Sequence, residues 1–396
     1  MRIAFVTSCM EPGRDGVGDY VRDLAAACVQ RGHACVVTAI NDRYVDQPCP
    51  QKQTSGSLEI EVLRLPASSR WPDRSRAARA WLEQQPADWL SLQFVPYGFH
   101  PRGVVLGLGG HLAPLLAGQR IHLMLHELWI GMERGASVRH RLVGWAQRHA
   151  VLSLVRGLSP RVIHTSNPAY RALSFAAGVP TRLLPLFGNI PVAEPPGEQW
   201  LDVEAAKLGV RGPRHEQCWW FGMFGTLHSV WSPEPLFSYL DEAAKRSGRR
   251  VVIGSIGRLG HGEPLWRQLQ ARYASRFSFA TFGERNTRDI SAFLQSVDFG
   301  IATTPWEIIG KSGTVAAMLD HGLPVIVSRD DVHFGIAPDP KARPEPLLRK
   351  MDSQLPEWLI DGPGRRPARA RLPEMTDIFL ADLQAAADVG SARLAG

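Results

Sequence analysis

Short apolar runs alternate with helical patterns along the chain, and this alternation restricts the folds that the chain can adopt. The first series begins with the apolar run Arg2–Thr7, a glycine-rich turn, a helical pattern over Val21–Gln30 and an apolar run at Cys35–Ile40. Short apolar runs joined by helices are typical of buried parallel strands. The series continues with strands predicted at Ile60–Leu65, Trp89–Phe94, Ile121–Leu125 and Val162–Thr165 and helices predicted at Ser75–Gln84, Val105–Leu116 and Val138–Val155.

A segment rich in proline and glycine, Phe187–Glu198, interrupts the alternation and is predicted to link two domains. A last helix is predicted at Asp377–Ala387. Between these segments, strands are predicted at Trp219–Phe224, Val251–Ile256, Phe277–Thr281, Asp298–Thr303 and Pro324–Ser328, and helices at Glu234–Arg246, Pro264–Ala274, Arg288–Ser296 and Thr314–His321. We therefore predict an α/β chain with two Rossmann-like, doubly wound domains facing a cleft, at residues 1–190 and 191–372. Residues 373–396 are predicted to pack back on the first domain.

Charge and cysteine content narrow the classes of function. The 45 Lys and Arg residues exceed the 38 Asp and Glu residues, but they are spread along the chain and form no nucleic-acid-binding motif. The net charge of +7 suits an anionic ligand, an anionic membrane surface or an ordinary soluble enzyme. The five cysteines include no C-x-x-C pair, which predicts a cytoplasmic protein. The longest weakly polar stretch, Val104–Gly118, is shorter than the roughly 20 residues that cross a bilayer.

The segment Thr303–Ser328 contains the strongest candidate for a ligand site. A predicted strand ends near Pro305, and a loop of small residues then opens a helix. Amide groups at a helix N-terminus, hydroxyls and an ammonium group together favour a phosphate. The loop residues are Gly310, Lys311, Ser312, Gly313 and Thr314, with Glu307 beside them as a candidate hydroxyl acceptor. The alternative is a well-capped helix without a ligand.

Other candidate residues follow predicted strands elsewhere in the chain. Gly16 and Gly18 either let backbone N–H groups approach an anion or form a turn without a ligand. His126 either hydrogen-bonds a sugar hydroxyl or phosphate, or caps the end of a strand. Arg258 either reaches a phosphate or is a solvated arginine in a turn.

The segment Ser137–Arg156 predicts a basic amphipathic helix. Its apolar side is formed by Leu142, Trp145, Leu152 and Val155, and several arginines lie elsewhere on its surface. Such a helix either makes a peripheral contact with an anionic membrane or is a half-buried helix of the domain.

Several of these motifs together resemble those of GT-B glycosyltransferases, of the broad type that includes glycosyltransferase family 4. The turn Gly16–Tyr20 and the segment Gly32–Val37 resemble the family's opening strand, glycine-rich turn and helix. The pair His126-Glu127 is similar to a His-Asp-like pair in the middle of the family's first domain. The resemblance covers nearly the whole chain, and further segments that carry it are Pro185–Asn189, Ser312–Met318 and Ala317–Val325.

This chain departs from the family's donor-binding pattern at Thr226, Trp231, Ile309 and Ala317. The first two replace the arginine and lysine that neutralise the donor diphosphate. The last two replace a pair of glutamates, of which the second holds the nucleotide ribose, although Glu307 lies two residues before Ile309. We expect Lys311 and Arg258 to supply the missing positive charge.

The resemblance implies a transferase that moves a sugar from a nucleoside-diphosphate sugar to a hydroxyl of a glycan, lipid-linked or small-molecule acceptor, as in polysaccharide biosynthesis. It implies a donor site on the second domain, an acceptor site on the first, and retention of the anomeric configuration. Catalytic roles are expected for His126, Glu307 and Lys311, with no cofactor besides the donor substrate and no metal ion. Donor contacts are expected at Gly16, Gly18, Arg258, Gly310, Ser312, Gly313 and Thr314.

Two other functions stay open. A non-catalytic GT-B relative would bind a ligand or scaffold a partner, and the missing donor-site charges favour it. A nucleotide-sugar epimerase on the same fold would need several acidic residues for proton transfer.

Overall fold

Two largely parallel β-sheets organise the chain. A computed structural model describes residues 1–116, 118–194, 200–207, 218–336 and 345–392. The chain divides into two units, of which the first is Met1–Leu186, Phe334–Pro338 and Leu372–Gly396 and the second is Phe187–His333 and Asp339–Arg371. The predicted linker begins the second unit, and its residues 195–198 lie outside the described ranges.

Strands and helices alternate as the apolar pattern predicts. The strands are β1 (Arg2–Thr7), β2 (Ala34–Asp42), β3 (Cys49–Ser55), β4 (Leu58–Pro66), β5 (Trp89–Phe94), β6 (Arg120–Leu125), β7 (Val162–Thr165), β8 (Arg182–Leu183), β9 (Cys218–Phe224), β10 (Arg250–Ile256), β11 (Ser278–Gly283), β12 (Phe299–Ala302), β13 (Val325–Val327) and β14 (Leu348–Lys350). The helices are α1 (Gly16–Gln30), α2 (Trp71–Glu83), α3 (Pro96–Phe99), α4 (Leu108–Leu116), α5 (Val138–Leu158), α6 (Pro168–Ala176), α7 (Trp200–Lys207), α8 (Leu236–Ser247), α9 (Glu263–Tyr273), α10 (Thr287–Ser296), α11 (Gly313–Asp320), α12 (Leu355–Asp361) and α13 (Leu372–Ala392).

The first sheet has the strand order β3-β4-β2-β1-β5-β6-β7-β8. Strand β1 pairs in parallel with β2 on one side and with β5 on the other, so the chain winds outward in both directions from it. The edge strand β3 is an exception, because it pairs antiparallel with β4. The apolar pattern does not predict β3, since its sequence C-P-Q-K-Q-T-S is mostly polar, as suits an exposed sheet edge.

The C-terminal helix α13 packs within the first unit. Its Phe379 is fully buried, stacks on Phe5 of β1 with ring centroids 6.0 Å apart, and meets His122 of β6 edge-on at 5.1 Å. Arg31, which follows α1 directly, donates hydrogen bonds to Asp377 and to the carbonyl oxygen of Pro373. These contacts attach the last described helix to the N-terminal part of the chain.

The second sheet is parallel throughout and has the strand order β11-β10-β9-β12-β13-β14. Strand β9 comes first in the chain but lies inside the sheet, between β10 and β12. Trp219 and Phe221 of β9 enter one layer of the core, and Trp220 enters the other. Because helices cover both faces, the strand is apolar along nearly its whole length, as buried parallel strands are.

Two short elements of the second unit, β14 and α12, lie in a segment rich in proline and arginine. The sequence pattern does not predict them, because β14 has only three residues and all three are partly exposed. The strand pairs in parallel with β13, so the sheet rather than the local sequence decides its structure.

A buried carboxylate joins the first and last segments of the second unit. Asp320, the last residue of α11, is 1% exposed. It accepts hydrogen bonds from the backbone N–H groups of Gly188 at 2.9 Å and Arg371 at 3.2 Å, and from the Arg371 guanidinium. Arg371 also donates to the carbonyl oxygen of Ala316 at 2.9 Å. Removal of the carboxylate would leave a partly buried guanidinium and two N–H groups without this acceptor.

We expect Asp320→Ala to lower the free energy of unfolding by about 2–4 kcal/mol, since the partly buried Arg371 guanidinium and two backbone N–H groups lose their buried acceptor. The measurement is denaturant unfolding followed by tryptophan fluorescence. Glu83→Ala is the control, because Glu83 forms an exposed ion pair with Arg79 of the same helix, and it should cost less than about 1 kcal/mol. Equal midpoints for the two variants would contradict the anchoring role of Asp320.

Candidate functional site

The second sheet has its topological switch point between β9 and β12. The chain leaves β9 toward β10 on one side, and later returns to β12 on the other. In open α/β sheets the two departing connections leave a crevice at the carboxyl ends of such strands, where ligands bind. A cavity lies there in this unit, and its lining includes Gly225, Thr226, Leu227, Thr303, Thr304 and Thr314.

The end of β9 approaches the start of α11 closely at Gly225. This residue has a φ of +78°, which favours glycine, and a Cβ atom there would lie 3.0 Å from Cγ2 of Thr314. Glycine therefore brings the backbone of the β9 turn against the first turn of α11. The result is a crevice edged by backbone and threonine hydroxyls.

Hydroxyl groups form the N-terminal end of α11. Ser312 is the N-cap, and its Oγ accepts a hydrogen bond from the N–H of Val315 at 3.4 Å. The same Oγ lies 3.0 Å from Oγ1 of Thr314 and 3.3 Å from Oγ1 of Thr304. The first N–H groups of a helix have no partners inside the helix and carry a partial positive charge. This end of α11 thus combines hydroxyl and amide donors suited to an oxyanion.

The segment predicted as one small-residue loop is more ordered than a loop. Gly310 and Lys311 end a 3₁₀ turn, Trp306–Lys311, while Gly313 already belongs to α11 and borders open space. The sequence does not reveal this turn, because it is short and has no apolar periodicity. Lys311 is partly buried and directly precedes the N-cap.

Glu307 lies in the same 3₁₀ turn and is partly buried. Its carboxylate lies 3.3 Å from Nδ1 of His333. The structure thus places the Glu307 carboxylate next to the imidazole of His333. Its catalytic role and that of Lys311 stay predictions.

The cations near this site differ from those expected. Arg258 makes a two-pronged ion pair with Glu284, with both nitrogen–oxygen distances 3.0 Å, and both side chains are largely exposed. Arg329, which sequence reasoning did not single out, donates to the carbonyl oxygen of Thr303 at 3.3 Å and pairs with Asp331. The guanidinium of Arg329 lowers the pKa of Asp331. The sequence could have indicated Arg329, because this residue directly follows the predicted strand Pro324–Ser328.

In the first unit, His126 lies at the carboxyl end of β6. Its side chain is buried, its Nε2 lies 2.9 Å from Oε1 of Gln93, and its ring meets Tyr20 edge-on at 5.0 Å. Burial lowers the pKa of His126 to about 3. The imidazole is therefore neutral at physiological pH and acts as a hydrogen-bonding group rather than as a cation.

The two glycines of the first turn have different surroundings. A Cβ atom at Gly18 would lie 2.6 Å from the carbonyl oxygen of Cys9, so only glycine allows this approach, while Gly16 has no neighbour within 4 Å. The N–H of Gly18 donates to the carboxylate of Asp15 at 2.7 Å, and Asp19 accepts from Gly13 at 3.1 Å. Two carboxylates thus accept N–H groups at this turn, and Asp19 is also paired with Arg22. The arrangement favours the turn without a ligand.

Solved structures of sugar-transferring enzymes share this architecture. An α,α-trehalose-phosphate synthase from Burkholderia xenovorans, in complex with glucose-6-phosphate, is similar with a TM-score of 0.59 and 13% identity over 97% of this chain and 99% of that chain. Anabaena HepE in complex with UDP-glucose is similar with a TM-score of 0.56 and 15% identity over 99% of this chain and 100% of that chain. The fold is that of the GT-B glycosyltransferases.

WaaG, a glycosyltransferase involved in lipopolysaccharide biosynthesis, is similar with a TM-score of 0.53 and 13% identity over 97% of this chain and 98% of that chain. No protein-family model matches the sequence. No curated protein matches it either. The likeness therefore concerns the fold and leaves the choice of family open.

Three positions that depart from the GT-B donor pattern have different surroundings. Thr226 lines the cavity at the end of β9. Trp231 is 2% exposed and donates from its indole nitrogen to Ser328 Oγ at 2.9 Å, so it belongs to the core. Ala317 is fully buried, and a Cβ atom at Gly188 would lie 2.6 Å from its Cα. The backbone of residue 188 therefore occupies the space beside position 317.

The described residues contain no group of three or more His, Cys, Asp or Glu side chains placed to hold a metal ion. Within the same part of the chain, no helix is both long enough and apolar enough to cross a membrane.

Position 317 gives a direct test of this packing. We expect Ala317→Glu, which introduces the residue type of the GT-B pattern, to destabilise the protein by several kcal/mol, because it buries an unpaired charge. Thermal unfolding measures the effect, and Ala385→Glu on the exposed face of α13 is the control. A variant Ala317→Glu that unfolds at the same temperature as the control would show that position 317 has room for an acidic side chain.

Proposed function

We propose that this protein is a glycosyltransferase that moves a sugar from a nucleoside-diphosphate sugar to a hydroxyl group of an acceptor. The observation that carries the proposal is the crevice at the β9–β12 switch point, where the N-terminus of α11 brings amide and hydroxyl donors to a cavity. The chain shares its fold with HepE, which was solved in complex with UDP-glucose.

The donor diphosphate would bind at the N-terminal end of α11. The first amide groups of the helix and the hydroxyls of Ser312 and Thr314 donate toward it, and Lys311 adds an ammonium charge from the preceding turn. Lysine suits this role because it is a compact point charge that binds phosphate. As the glycosidic bond to the diphosphate breaks, negative charge grows on the leaving oxygen, and these groups stabilise it.

Two arginines complement Lys311. Arg329 lies beside the carbonyl oxygen of Thr303, close to the cavity lining. Arg258 would have to exchange its exposed pairing with Glu284 for the phosphate. Breaking this pair costs little free energy, since an exposed ion pair contributes only about 0–1 kcal/mol to stability. These cations take the place of those that Thr226 and Trp231 do not provide.

The acceptor would bind at the first unit, with its hydroxyl near His126. A neutral imidazole accepts a hydrogen bond from a hydroxyl without the cost of burying a charge. Glu307 is the second candidate for orienting a sugar hydroxyl. The resemblance implies retention of the anomeric configuration without a metal ion, and NMR of the product together with an assay in chelator tests both points.

We expect Lys311→Ala to lower kcat/KM for the donor by roughly 30- to 1000-fold. This corresponds to about 2–4 kcal/mol of lost charge-assisted stabilisation, at about 1.4 kcal/mol per tenfold. Lys311→Arg should recover part of the loss. The control is Lys245→Ala, because Lys245 is exposed on α8 and pairs only with the helical neighbour Asp241 among the described contacts. Unchanged donor kinetics in Lys311→Ala would place the diphosphate elsewhere.

The second candidate function is a ligand-binding protein without catalysis. Its supporting observation is that Trp231 is a core residue and Ala317 is buried, so neither position offers the group that GT-B enzymes use for the donor. A thermal-shift screen of nucleotide sugars, followed by calorimetry and a turnover assay on each hit, separates the two functions. Binding without transfer or hydrolysis would favour the second.

We also propose that α5 contacts an anionic membrane, where a lipid-linked acceptor would be presented. Val138, Leu142 and Trp145 are 67%, 65% and 63% exposed and recur at helical spacing. The exposed Arg139 and Arg141 flank them, and the helix contains no acidic residue. An exposed apolar stripe beside basic side chains is the pattern of helices that lie in the membrane interface.

We expect the double variant Leu142→Asp and Trp145→Asp to bind vesicles containing anionic phospholipid at least about 10-fold more weakly, since each large apolar side chain contributes about 1.5–3 kcal/mol when buried. Cosedimentation measures the partition coefficient. Phe175→Asp is the control, because Phe175 is 75% exposed and belongs to α6, a different helix. Equal partitioning of the double variant and the wild type would exclude α5 as the contact.

A further inference from the structure

Six polar side chains form one hydrogen-bonded chain through the interior of the first unit. In order they are His126, Gln93, Ser91, His122, His164 and Asp382. The five successive donor–acceptor distances are 2.9, 2.7, 2.7, 3.0 and 2.8 Å. All except Asp382 are less than 9% exposed. Each buried polar group without a partner would cost about 1–3 kcal/mol, so the members depend on one another.

Strand register brings these side chains to one face of the sheet. Ser91 of β5 is the register partner of His122 of β6, and Gln93 lies two residues after Ser91 on the same face. His164 of β7 pairs in register with Met124, two residues after His122. Helix α13 packs on this face through Phe379, and Asp382 one turn later reaches His164. The chain thus leads from the C-terminal helix to the carboxyl end of β6.

When the rings of His164 and His122 are neutral, the direction of every hydrogen bond follows from Asp382. Its carboxylate only accepts, so Nε2 of His164 carries a proton, and in the neutral ring Nδ1 of His164 is an acceptor. Nε2 of His122 then donates to it, and Nδ1 of His122 accepts from the Ser91 hydroxyl. The hydrogen bond to His164 lowers the pKa of Asp382, and burial lowers that of His122 well below its usual value.

The remaining links extend the same direction to His126. Because the Ser91 hydroxyl donates to His122, its oxygen accepts from the Gln93 amide nitrogen at 2.7 Å. The Gln93 amide oxygen therefore faces His126 and accepts from Nε2. In the neutral ring this leaves Nδ1 of His126 without a proton. Among the described residues, Nδ1 of His126 makes no hydrogen bond, so it is available as an acceptor.

We propose that Asp382 is a positioning residue that holds His126, through this chain, in the tautomer whose bare Nδ1 accepts a hydrogen bond from the acceptor hydroxyl. The inference rests on the proposed function for the identity of that hydroxyl. The tautomer itself rests only on the hydrogen-bond geometry. A carboxylate that holds an imidazole in its productive tautomer through a hydrogen bond is a general device in catalysis, here extended over several side chains.

The substitution Asp382→Asn tests the direction of the chain. Arg182 donates a hydrogen bond to the second oxygen of Asp382. In Asp382→Asn the amide oxygen faces Arg182, because the guanidinium needs an acceptor. The amide nitrogen therefore faces His164 and donates to it. Every link then reverses, the Gln93 amide turns over, and His126 becomes protonated at Nδ1.

Nitrogen-15 NMR of histidine-labelled protein reads the tautomer directly, because a ring nitrogen without a proton resonates far downfield of one that carries it. The His126 signals are assigned from their absence in His126→Gln. In the free wild-type protein we expect bare Nδ1, and in Asp382→Asn protonated Nδ1. Asp388→Asn, an exposed position on the same helix, should leave the spectrum unchanged. Ser91→Ala breaks the chain, so adding Asp382→Asn to it should not change His126 further.

Kinetics give the second measurement. We expect Asp382→Asn to lower kcat/KM for the acceptor by about 10- to 100-fold, a fraction of the 10²- to 10⁴-fold range of general acid–base catalysis. Donor affinity should stay at the wild-type value, because Asp382 belongs to the first unit. A role of Asp382 in stability alone would not change the tautomer of His126.

The possible results test the tautomer, the contact with the acceptor and the proposed function separately. Protonated Nδ1 in the wild-type protein overturns the proposal, and this spectrum is informative even if Asp382→Asn does not fold. An unchanged His126 spectrum in a folded Asp382→Asn variant also overturns it. A reversed tautomer with unchanged acceptor kinetics refutes the contact with the acceptor. Absence of sugar transfer by the wild type would refute the proposed function, while the spectra of the free protein would still decide the role of Asp382.

Discussion

The position of β9 inside the second sheet is the constraint on which the candidate site depends. Because β10 and β12 flank the first strand of this unit, the connections on the two sides diverge at its carboxyl end. The gap between them is where Gly225, with its positive φ, meets the first turn of α11. Hydroxyls and amides at a helix N-terminus gain their effect there because the strand ends place them beside a cavity rather than bulk solvent.

The electrostatics of the two switch points differ. In the second unit, α11 begins with the hydroxyl cap Ser312, follows Lys311 directly, and has Arg329 close to the neighbouring strand end. In the first unit, α1 begins with the carboxylates of Asp15 and Asp19, which already accept the N–H groups of Gly18 and Gly13. A helix N-terminus attracts anions only where its own side chains have not supplied them. The N-terminus of α11 therefore offers more donor groups to an anion than the N-terminus of α1 does.

Buried polar groups in this protein are arranged in connected sets. Asp320 joins Gly188 to Arg371 in the second unit, and Asp382 ends the chain that leads to His126 in the first. An apolar core of similar volume would avoid the cost of desolvating these groups. In the first unit the connected side chains orient an imidazole at the carboxyl end of β6.

The sequence by itself determined the apolar strands of both sheets and the double winding, but not the polar or very short strands β3, β8 and β14. Strands such as Trp89–Phe94 are continuous apolar runs, and a local pattern of that kind is visible in the chain without its neighbours. The strand ends also indicated Ser312, Lys311 and His126, because side chains that follow parallel strands lie at the ligand-binding edge. Only the tertiary structure decided that Arg258 pairs with Glu284, that Arg329 reaches Thr303, and that β14 joins the sheet. These features depend on contacts between residues far apart in the chain, and neither apolar periodicity nor local propensity encodes which distant group a charged side chain will meet.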